Sequence, residues 1–293
     1  MTTRVVVGRV RRLVVNADDF GRSPGINRGI MHAYRNGIVT SASLMVRWSA
    51  AADAARFARA APELGIGLHL DLAEWVHDGI EWGTSYEVVR DDDPVAVTEE
   101  TWRQVERFDQ LVGTLPSHID SHQHVHRNEP AHAAIALVCR ELGVPLRMED
   151  PGITHCGAFH GQSGTGEPLH SGISTTALVD LLGGLAAGVT ELLCHPGLGD
   201  ESGSVYGVER DLEVAALCDP AVGAAVKAAG IELITFRDVS RTSEPTAPDD
   251  PATADDPATA DDPAVPDDPG LDGGGKVIAI HGAVSRRTRC AKR

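Results

Sequence analysis

The sequence is poor in aromatic residues, in cysteine and in long apolar runs. Aromatic side chains make up 4% of its 293 residues, and the 5 cysteines are widely spaced without a C-x-x-C pair. This usage argues against a disulfide framework or a structural zinc knuckle. No run reaches the roughly 18–20 apolar residues of a membrane span, and the first residues lack the cleavage site of a secretion signal. We therefore predict a cytoplasmic protein with no membrane partner.

Basic residues are also scarce, with 26 lysines and arginines against 42 acidic residues and a net charge of −16. Residues 244–275 hold ten acids and no base, whereas residues 276–293 hold six bases and no acid. The first 243 residues remain strongly acidic without either segment. A body of this charge repels a phosphate backbone, so we expect no nucleic-acid partner.

These charge boundaries divide the chain into three segments. Residues 1–243 form the predicted globular domain. Residues 244–275 contain an Asp-Asp-Pro-Ala repeat with a six-residue period. Its paired aspartates repel one another and it has almost nothing apolar to bury, so we predict a disordered tail. Residues 276–293 form a basic C-terminal end.

Short apolar runs alternate with helical patterns along the first segment. The predicted strands are Leu13–Val15, Ser41–Met45, Ile66–Leu70, Ser117–Asp120, Pro145–Arg147, Val189–Cys194 and Ile231–Thr235. The predicted helices are Ile26–Arg35, Ala50–Ala60, Glu99–Leu111, Pro130–Leu142, Thr175–Ala187, Val208–Cys218 and Ala221–Ala229. This alternation predicts an α/β fold, a distorted TIM-like (β/α) barrel with mostly parallel strands. An open doubly wound sheet is the alternative, although no G-x-G-x-x-G follows the first strand.

In five of the seven predicted strands the apolar run ends in an ionisable residue. These residues are Asp18 and Asp19, His69, Asp120, Arg147 and His195. In a parallel barrel the carboxyl ends of the strands meet at one rim, where such folds carry their chemistry. We therefore expect these side chains to converge on one site.

The residue types at this rim indicate a metal site. Neutral imidazole and carboxylate are ligands of borderline divalent metals, and a catalytic site uses about three of them. Asp120, His122, His124 and His126 alternate and would share one face of an extended chain. The spacing leaves both His122 and His124 open as a metal ligand. A histidine-rich surface loop is the alternative interpretation.

The Asp18-Asp19 pair and Arg147 each leave alternative roles open. Asp18 and Asp19 are neighbours and must point in different directions, so one can bind a metal while the other serves as a base. Arg147 at a strand end could bind substrate or pair with Asp120.

Taken together, the motifs resemble the YdjC-like (ChbG/HpnK) carbohydrate deacetylases over about residues 12–239. The motifs are Asn16-Ala17-Asp18-Asp19-Phe20-Gly21, Gly67-Leu68-His69, His118-Ile119-Asp120-Ser121-His122-Gln123-His124-Val125-His126, Leu146-Arg147 and Cys194-His195-Pro196. The resemblance implies a homodimeric, distorted TIM-like barrel that removes acetyl groups from N-acetylated sugars. It implies one divalent ion, Mg²⁺ or Zn²⁺.

The resemblance also implies roles for individual residues. Asp19, His69 and His122 are the implied metal ligands, Asp18 the catalytic base and His195 a candidate acid. We assign His124 and Arg147 to substrate binding. Two positions depart from the family pattern: Gln123 stands where many members carry histidine, and Asp71 where members often carry an uncharged residue.

Two other functions fit the same residue types. Two histidines and one carboxylate also describe the facial triad of a non-haem Fe(II) oxygenase. A barrel that binds sugar or metal without catalysis is the third possibility.

Overall fold

The described part of the chain is an α/β structure built on a curled, mostly parallel sheet. The computed structural model describes residues 10–77, 80–199 and 206–242. Its strands are β1 (Arg11–Phe20), β2 (Ser41–Leu44), β3 (Gly65–Leu70), β4 (Ala73–His77), β5 (Trp82–Glu87), β6 (Ile119–Ser121), β7 (Ile153–Cys156), β8 (Gly188–Cys194) and β9 (Ile231–Leu233). Its helices are α1 (Pro24–Asn36), α2 (Ala51–Ala60), α3 (Pro94–Val112), α4 (Ala131–Leu142), α5 (Thr175–Gly184), α6 (Val208–Leu217), α7 (Pro220–Ala228) and α8 (Phe236–Thr242).

The main sheet has β1 at its centre. Its strands follow the order β6–β3–β2–β1–β8–β7, and β9 pairs with the start of β1. Every pairing in this sheet is parallel. Leu13, Val15 and Phe20 of β1 are fully buried, as expected for a strand covered on both faces. The predicted distorted, barrel-like α/β fold is confirmed.

Helix α1 follows β1 and lies close to the loop after β8. The Ser23 side chain caps it by accepting a hydrogen bond from the backbone N–H of Ile26 at 3.0 Å, and Pro24 stands at its first position. A Cβ on Gly29 would lie 2.3 Å from the Cα of Gly197. Only glycine therefore permits this contact, which brings α1 against the loop that follows His195.

Several element boundaries differ from the predictions. Pro145–Arg147 is not a strand, although Leu146 forms a single parallel bridge with Ile119 and occupies the expected place beside β6. Helix α3 begins at Pro94 rather than Glu99, because the Asp93 carboxylate caps it by accepting two backbone N–H groups at 3.1 Å. Strands β4, β5 and β7 and helix α8 were not among the predicted elements.

Strands β4 and β5 form a separate antiparallel hairpin where the strand–helix alternation of the sequence is interrupted. Gln123 joins this hairpin to the histidine-rich segment. Its side-chain amide accepts from the backbone N–H of Trp75 at 2.8 Å and donates to the Trp75 carbonyl at 2.7 Å. The hairpin is therefore held against the loop that carries His122.

Two predictions lie outside the described residues: the disordered repeat at 244–275 and the basic end at 276–293. Among the helices of the described segments, none combines the length and apolar character that a bilayer span requires.

Candidate metal centre

The carboxyl ends of three parallel strands bring Asp19, His69 and His122 together. Asp19 lies near the end of β1, His69 near the end of β3, and His122 directly after β6. Strand β6 pairs with β3 so that His69 lies opposite Asp120. The predicted rim is therefore the place where these side chains meet.

The backbone of β1 turns at Asp19. Asp19 has a φ of 67°, in the left-handed region, and the pairing of β1 with β2 shifts register between Ala17 and Phe20. Gly21 has a φ of 91°, and a Cβ there would lie 2.9 Å from the Met45 carbonyl oxygen. The turn separates the side-chain directions of Asp18 and Asp19, as expected from their adjacent positions in the sequence.

Asp19 Oδ1 is the centre of the candidate ligand set. It lies 3.2 Å from Nδ1 of His122 and 3.5 Å from Nε2 of His69. One ligand atom from each of the three residues lies within 4.8 Å of the others, and all three residues are buried. Asp19 Oδ1 is itself buried and has no hydrogen-bond partner among the described residues. A buried carboxylate oxygen left unpaired beside two imidazole nitrogens fits a bound cation.

Further contacts orient the two histidines. Nδ1 of His69 lies 2.7 Å from Oδ1 of Asp120, which leaves its Nε2 facing Asp19. The outer edge of His122 lies against an ion pair in which Arg22 Nη2 donates to Glu74 Oε1 at 2.7 Å. A carboxylate behind a histidine ligand fixes its tautomer and ring orientation.

A second group of possible ligands, Asp18, His69 and Asp120, is already occupied by a protein cation. Arg147 Nη1 donates to Asp18 at 2.8 Å and also to Asp120, while its Nε donates to Glu191. The Arg147 side chain is completely buried. These contacts favour the pairing interpretation of Arg147 over direct contact with substrate.

The environment of Asp18 differs from that of Asp19. Burial raises the pKa of Asp18 to about 6, although Arg147 opposes this rise. Burial also favours the neutral form of Asp19, but Arg210 and His122 outweigh it and hold its pKa well below the usual range. Two adjacent carboxyls thus have separated pKa values, a pattern typical of a base beside a permanently ionised ligand.

The expected alternation of histidines is wrong beyond Ser121. Residues His122–Arg127 form a short 3-10 helix in which Gln123 and His124 have φ values of 51° and 57°. The chain turns there instead of continuing as a strand, so His124 and His126 do not share the face of His122. The cluster around Asp19 Oδ1 includes His122 and not His124. Burial, followed by the charge of Arg147, lowers the pKa of His124 to about 3.

His195 follows β8, and its backbone N–H donates to Glu213. Its ring lies 5.5 Å from that of His160 and 5.2 Å from that of Tyr206. Nδ1 of His195 is buried and has no hydrogen-bond partner within the described segments. Burial holds its pKa well below the usual range despite the charge of Asp19, so the imidazole is neutral.

Comparison with known proteins identifies the relatives of this chain. A family model described as YdjC-like protein matches residues 12–228. The chain belongs to the YdjC-like family. Carbohydrate deacetylase of Geobacillus stearothermophilus is 33% identical over 249 residues, covering 78% of this chain and 98% of that protein. Chitooligosaccharide deacetylase of Klebsiella pneumoniae subsp. pneumoniae is 34% identical over 250 residues, covering 78% and 99%.

The fold agrees with this assignment. A solved structure of a protein from Enterococcus faecalis V583 matches with a TM-score of 0.65 at 26% identity, covering 78% of this chain and 99% of that chain. Every predicted site residue lies within the part that matches the YdjC-like model. Homodimer formation and the cytoplasmic location stay predictions.

The structure of this YdjC-like chain adds site residues that were not predicted from the sequence. They are Arg22, Glu74, Tyr206, Arg210 and Glu213. Arg22 directly follows the Asp18-Asp19 motif, so proximity could have suggested it. Arg210 and Glu213 lie on α6, where their charges look like those of a solvated helix face. Both are buried, and no local pattern distinguishes them from surface residues.

Proposed function

We propose that this chain is a metal-dependent carbohydrate deacetylase that hydrolyses the acetamido group of an N-acetylated sugar. The buried set of Asp19 Oδ1, His69 Nε2 and His122 Nδ1, with the carboxyl of Asp18 held beside it by Arg147, carries this proposal. The relatives named as carbohydrate and chitooligosaccharide deacetylases support the substrate class. A facial-triad oxygenase has no need for the second carboxylate, and no observation favours it.

The ligand set fits one divalent ion. Two imidazoles and one carboxylate suit Zn²⁺, while Mg²⁺ prefers oxygen ligands and water, so Zn²⁺ is the better match of the two. Such an ion would polarise the acetyl carbonyl and lower the pKa of a water molecule toward about 7.

We assign the two proton transfers of the reaction to Asp18 and His195. Asp18 is ionised above its pKa of about 6 and accepts a proton from the attacking water. The amide C–N bond breaks, acetate leaves, and the sugar nitrogen takes up a proton to become an amine. His195 is the proposed carrier of that proton. Because its imidazole is neutral at rest, it would first take up the proton that Asp18 accepted from the water and would hold it only transiently.

His124 and Arg147, the two residues assigned to substrate binding, have different proposed roles. Nδ1 of His124 is buried with no hydrogen-bond partner in the described part of the chain, and we propose that it bonds a polar group of the sugar. Arg147 acts through Asp18, since its guanidinium holds both oxygens of that carboxylate at 2.8 and 3.0 Å.

The proposed reaction is tested by acetate release from a panel of N-acetylated mono- and oligosaccharides. We expect release by the metal-loaded protein, loss of release after chelation, and recovery on adding back Zn²⁺ or Mg²⁺. A protein that binds metal yet releases no acetate from any sugar would contradict the proposal. Oxygen consumption with Fe(II) would favour the oxygenase instead.

A cavity of about 380 Å³ at the start of α1 offers room for the sugar. Trp48 and Arg22 line it together with Arg28 and the start of α1. Arg22 Nη1 lies 3.1 Å from Nε2 of His122, so a residue that lines the cavity contacts a proposed metal ligand. The Trp48 indole donates to the buried Asp71 at 3.0 Å, which holds the ring in place.

We expect Trp48→Ala to raise KM about tenfold, on the order of 1.4 kcal/mol of binding free energy, with a smaller change in kcat. The reason is loss of an aromatic surface that contacts the sugar without touching the reacting bond. Trp82→Ala removes an exposed tryptophan that does not line the cavity, and it should leave KM unchanged. Equal KM values for Trp48→Ala and the unaltered protein on every sugar would rule out this role.

A further inference from the structure

Helix α6 holds both the proposed ligand Asp19 and the proposed proton carrier His195. Arg210 Nη2 donates to Oδ2 of Asp19 at 2.6 Å, and its Nη1 donates to the carbonyl of His195 at 3.3 Å. Glu213, three residues further along α6, accepts the N–H of His195. The backbone of His195 is therefore held on both sides from one helix.

The Arg210 guanidinium is itself fixed in place. Its Nε donates to the Tyr206 carbonyl at 2.9 Å, and the group lies 5.5 Å from the centre of the Tyr206 ring. A Cβ on Gly197 would lie 3.0 Å from the Cδ of Arg210. Arg210 is 2% exposed, so these contacts occur away from solvent.

We propose that Arg210 is a positioning residue that makes Asp19 a one-oxygen ligand. It engages Oδ2 of Asp19 and leaves Oδ1 directed at His69 and His122. The same guanidinium links Asp19 to the backbone of His195, which lies 176 residues later in the chain. Arg210 thereby sets the spacing between the ligand set and the proton carrier.

A planar guanidinium is required for this task. Its nitrogens point in fixed directions and reach the Asp19 carboxylate and two carbonyls at once, whereas a lysine ammonium is a single point charge. Groups that orient a metal ligand typically change metal affinity 10–100-fold when they are altered. We therefore expect Arg210→Lys and Arg210→Met each to lose about 10–100-fold in affinity for Zn²⁺.

The inference rests on the proposed metal site, and direct binding keeps the two separable. Zn²⁺ affinity is measured by calorimetry on the full chain after chelator treatment, alongside the thermal midpoint without metal. Arg237→Lys is the matched control, because Arg237 also donates to two backbone carbonyls, at 2.6 and 3.0 Å, and is exposed. It should bind Zn²⁺ like the unaltered chain.

The Zn²⁺ affinities and thermal midpoints distinguish a positioning role of Arg210 from a purely structural one. Weakened Zn²⁺ binding in both Arg210 variants, beyond any change in the control, supports the positioning role. A lower thermal midpoint with unchanged affinity would make Arg210 merely structural. Tighter binding by Arg210→Met would show that its charge repels the ion, which also overturns the inference. Absence of Zn²⁺ binding by the unaltered chain would instead refute the proposed metal site.

Discussion

Replacing His69 by alanine is expected to abolish tight binding of a divalent ion and to reduce deacetylation severely. His69 supplies one of three proposed ligand atoms, with Nε2 3.5 Å from Oδ1 of Asp19. Loss of a ligand should lower the affinity for the ion by more than the 10–100-fold that results from altering a group behind a ligand. Acetate release should fall by roughly 10³-fold or more, because the group that polarises the carbonyl and acidifies the water is lost with the ion.

The substitution should leave the fold intact. Asp120 loses its contact with His69 but still accepts a hydrogen bond from Ser43 at 2.7 Å and another from Arg147. Partial recovery of activity at high Zn²⁺ concentration is expected, because the two other ligands remain.

His118→Ala provides a matched control for the loss of a buried imidazole. His118 is as buried as His69, but its ring nitrogens lie 3.0 Å from the hydroxyls of Ser43 and Ser117 and not against Asp19. We expect it to lower the thermal midpoint while changing Zn²⁺ affinity only a few-fold. Isothermal calorimetry and acetate release measure both variants. If His69→Ala bound Zn²⁺ as well as His118→Ala does, the proposed ligand set would be wrong.

The convergence of Asp19, His69 and the segment after β6 could be predicted from the sequence because parallel strands impose it, whereas the choice of His122 over His124 came from the family resemblance. Each follows or ends an apolar run, and a parallel sheet brings the carboxyl ends of such runs to one edge whatever connects them. The strand centres and most helices follow from the same periodicity. What the structure adds is the atomic detail, with Nδ1 of His122 and Nε2 of His69 facing one oxygen.

Prediction failed where the backbone left its regular geometry. The alternating positions of His122, His124 and His126 suggest one face only if the chain stays extended. The left-handed conformations of Gln123 and His124 break that pattern. Such conformations depend on the contacts of the folded chain, here the paired hydrogen bonds of Gln123 with Trp75, and they leave no periodic signal in the sequence.

Arg210 and Glu213 were missed for a different reason. They reach the site from α6, where charged residues at short intervals ordinarily face solvent. Their burial arises from packing against Tyr206 and the loop after β8, which only the assembled fold shows. Long-range ion pairs of this kind require knowledge of which elements are neighbours in space.

Replacing Asp18 by asparagine is expected to separate catalysis from metal binding. Asp18 is not in the ligand set around Asp19 Oδ1, so Zn²⁺ affinity should change by no more than a few-fold. Acetate release should fall by about 10²–10⁴-fold, the usual contribution of a general base. The asparagine oxygen can still accept from Asn16 and Arg147, which bond Oδ1 of Asp18 at 2.8 Å in the unaltered chain.

The pH dependence of kcat/KM is the most specific test of Asp18 as the base. Asp18 works as a base only when ionised, so kcat/KM should fall as the pH drops through a pKa of about 6, and a bound cation would move that limb lower. The residual activity of Asp18→Asn should lack this limb. Glu191→Gln is the matched control, since it disturbs Arg147 through Nε and leaves Asp18 in place. It should keep the acidic limb and lose less than about tenfold in rate. Should Asp18→Asn retain near-full activity with an unchanged profile, the water must lose its proton to another group and the assignment of the base fails.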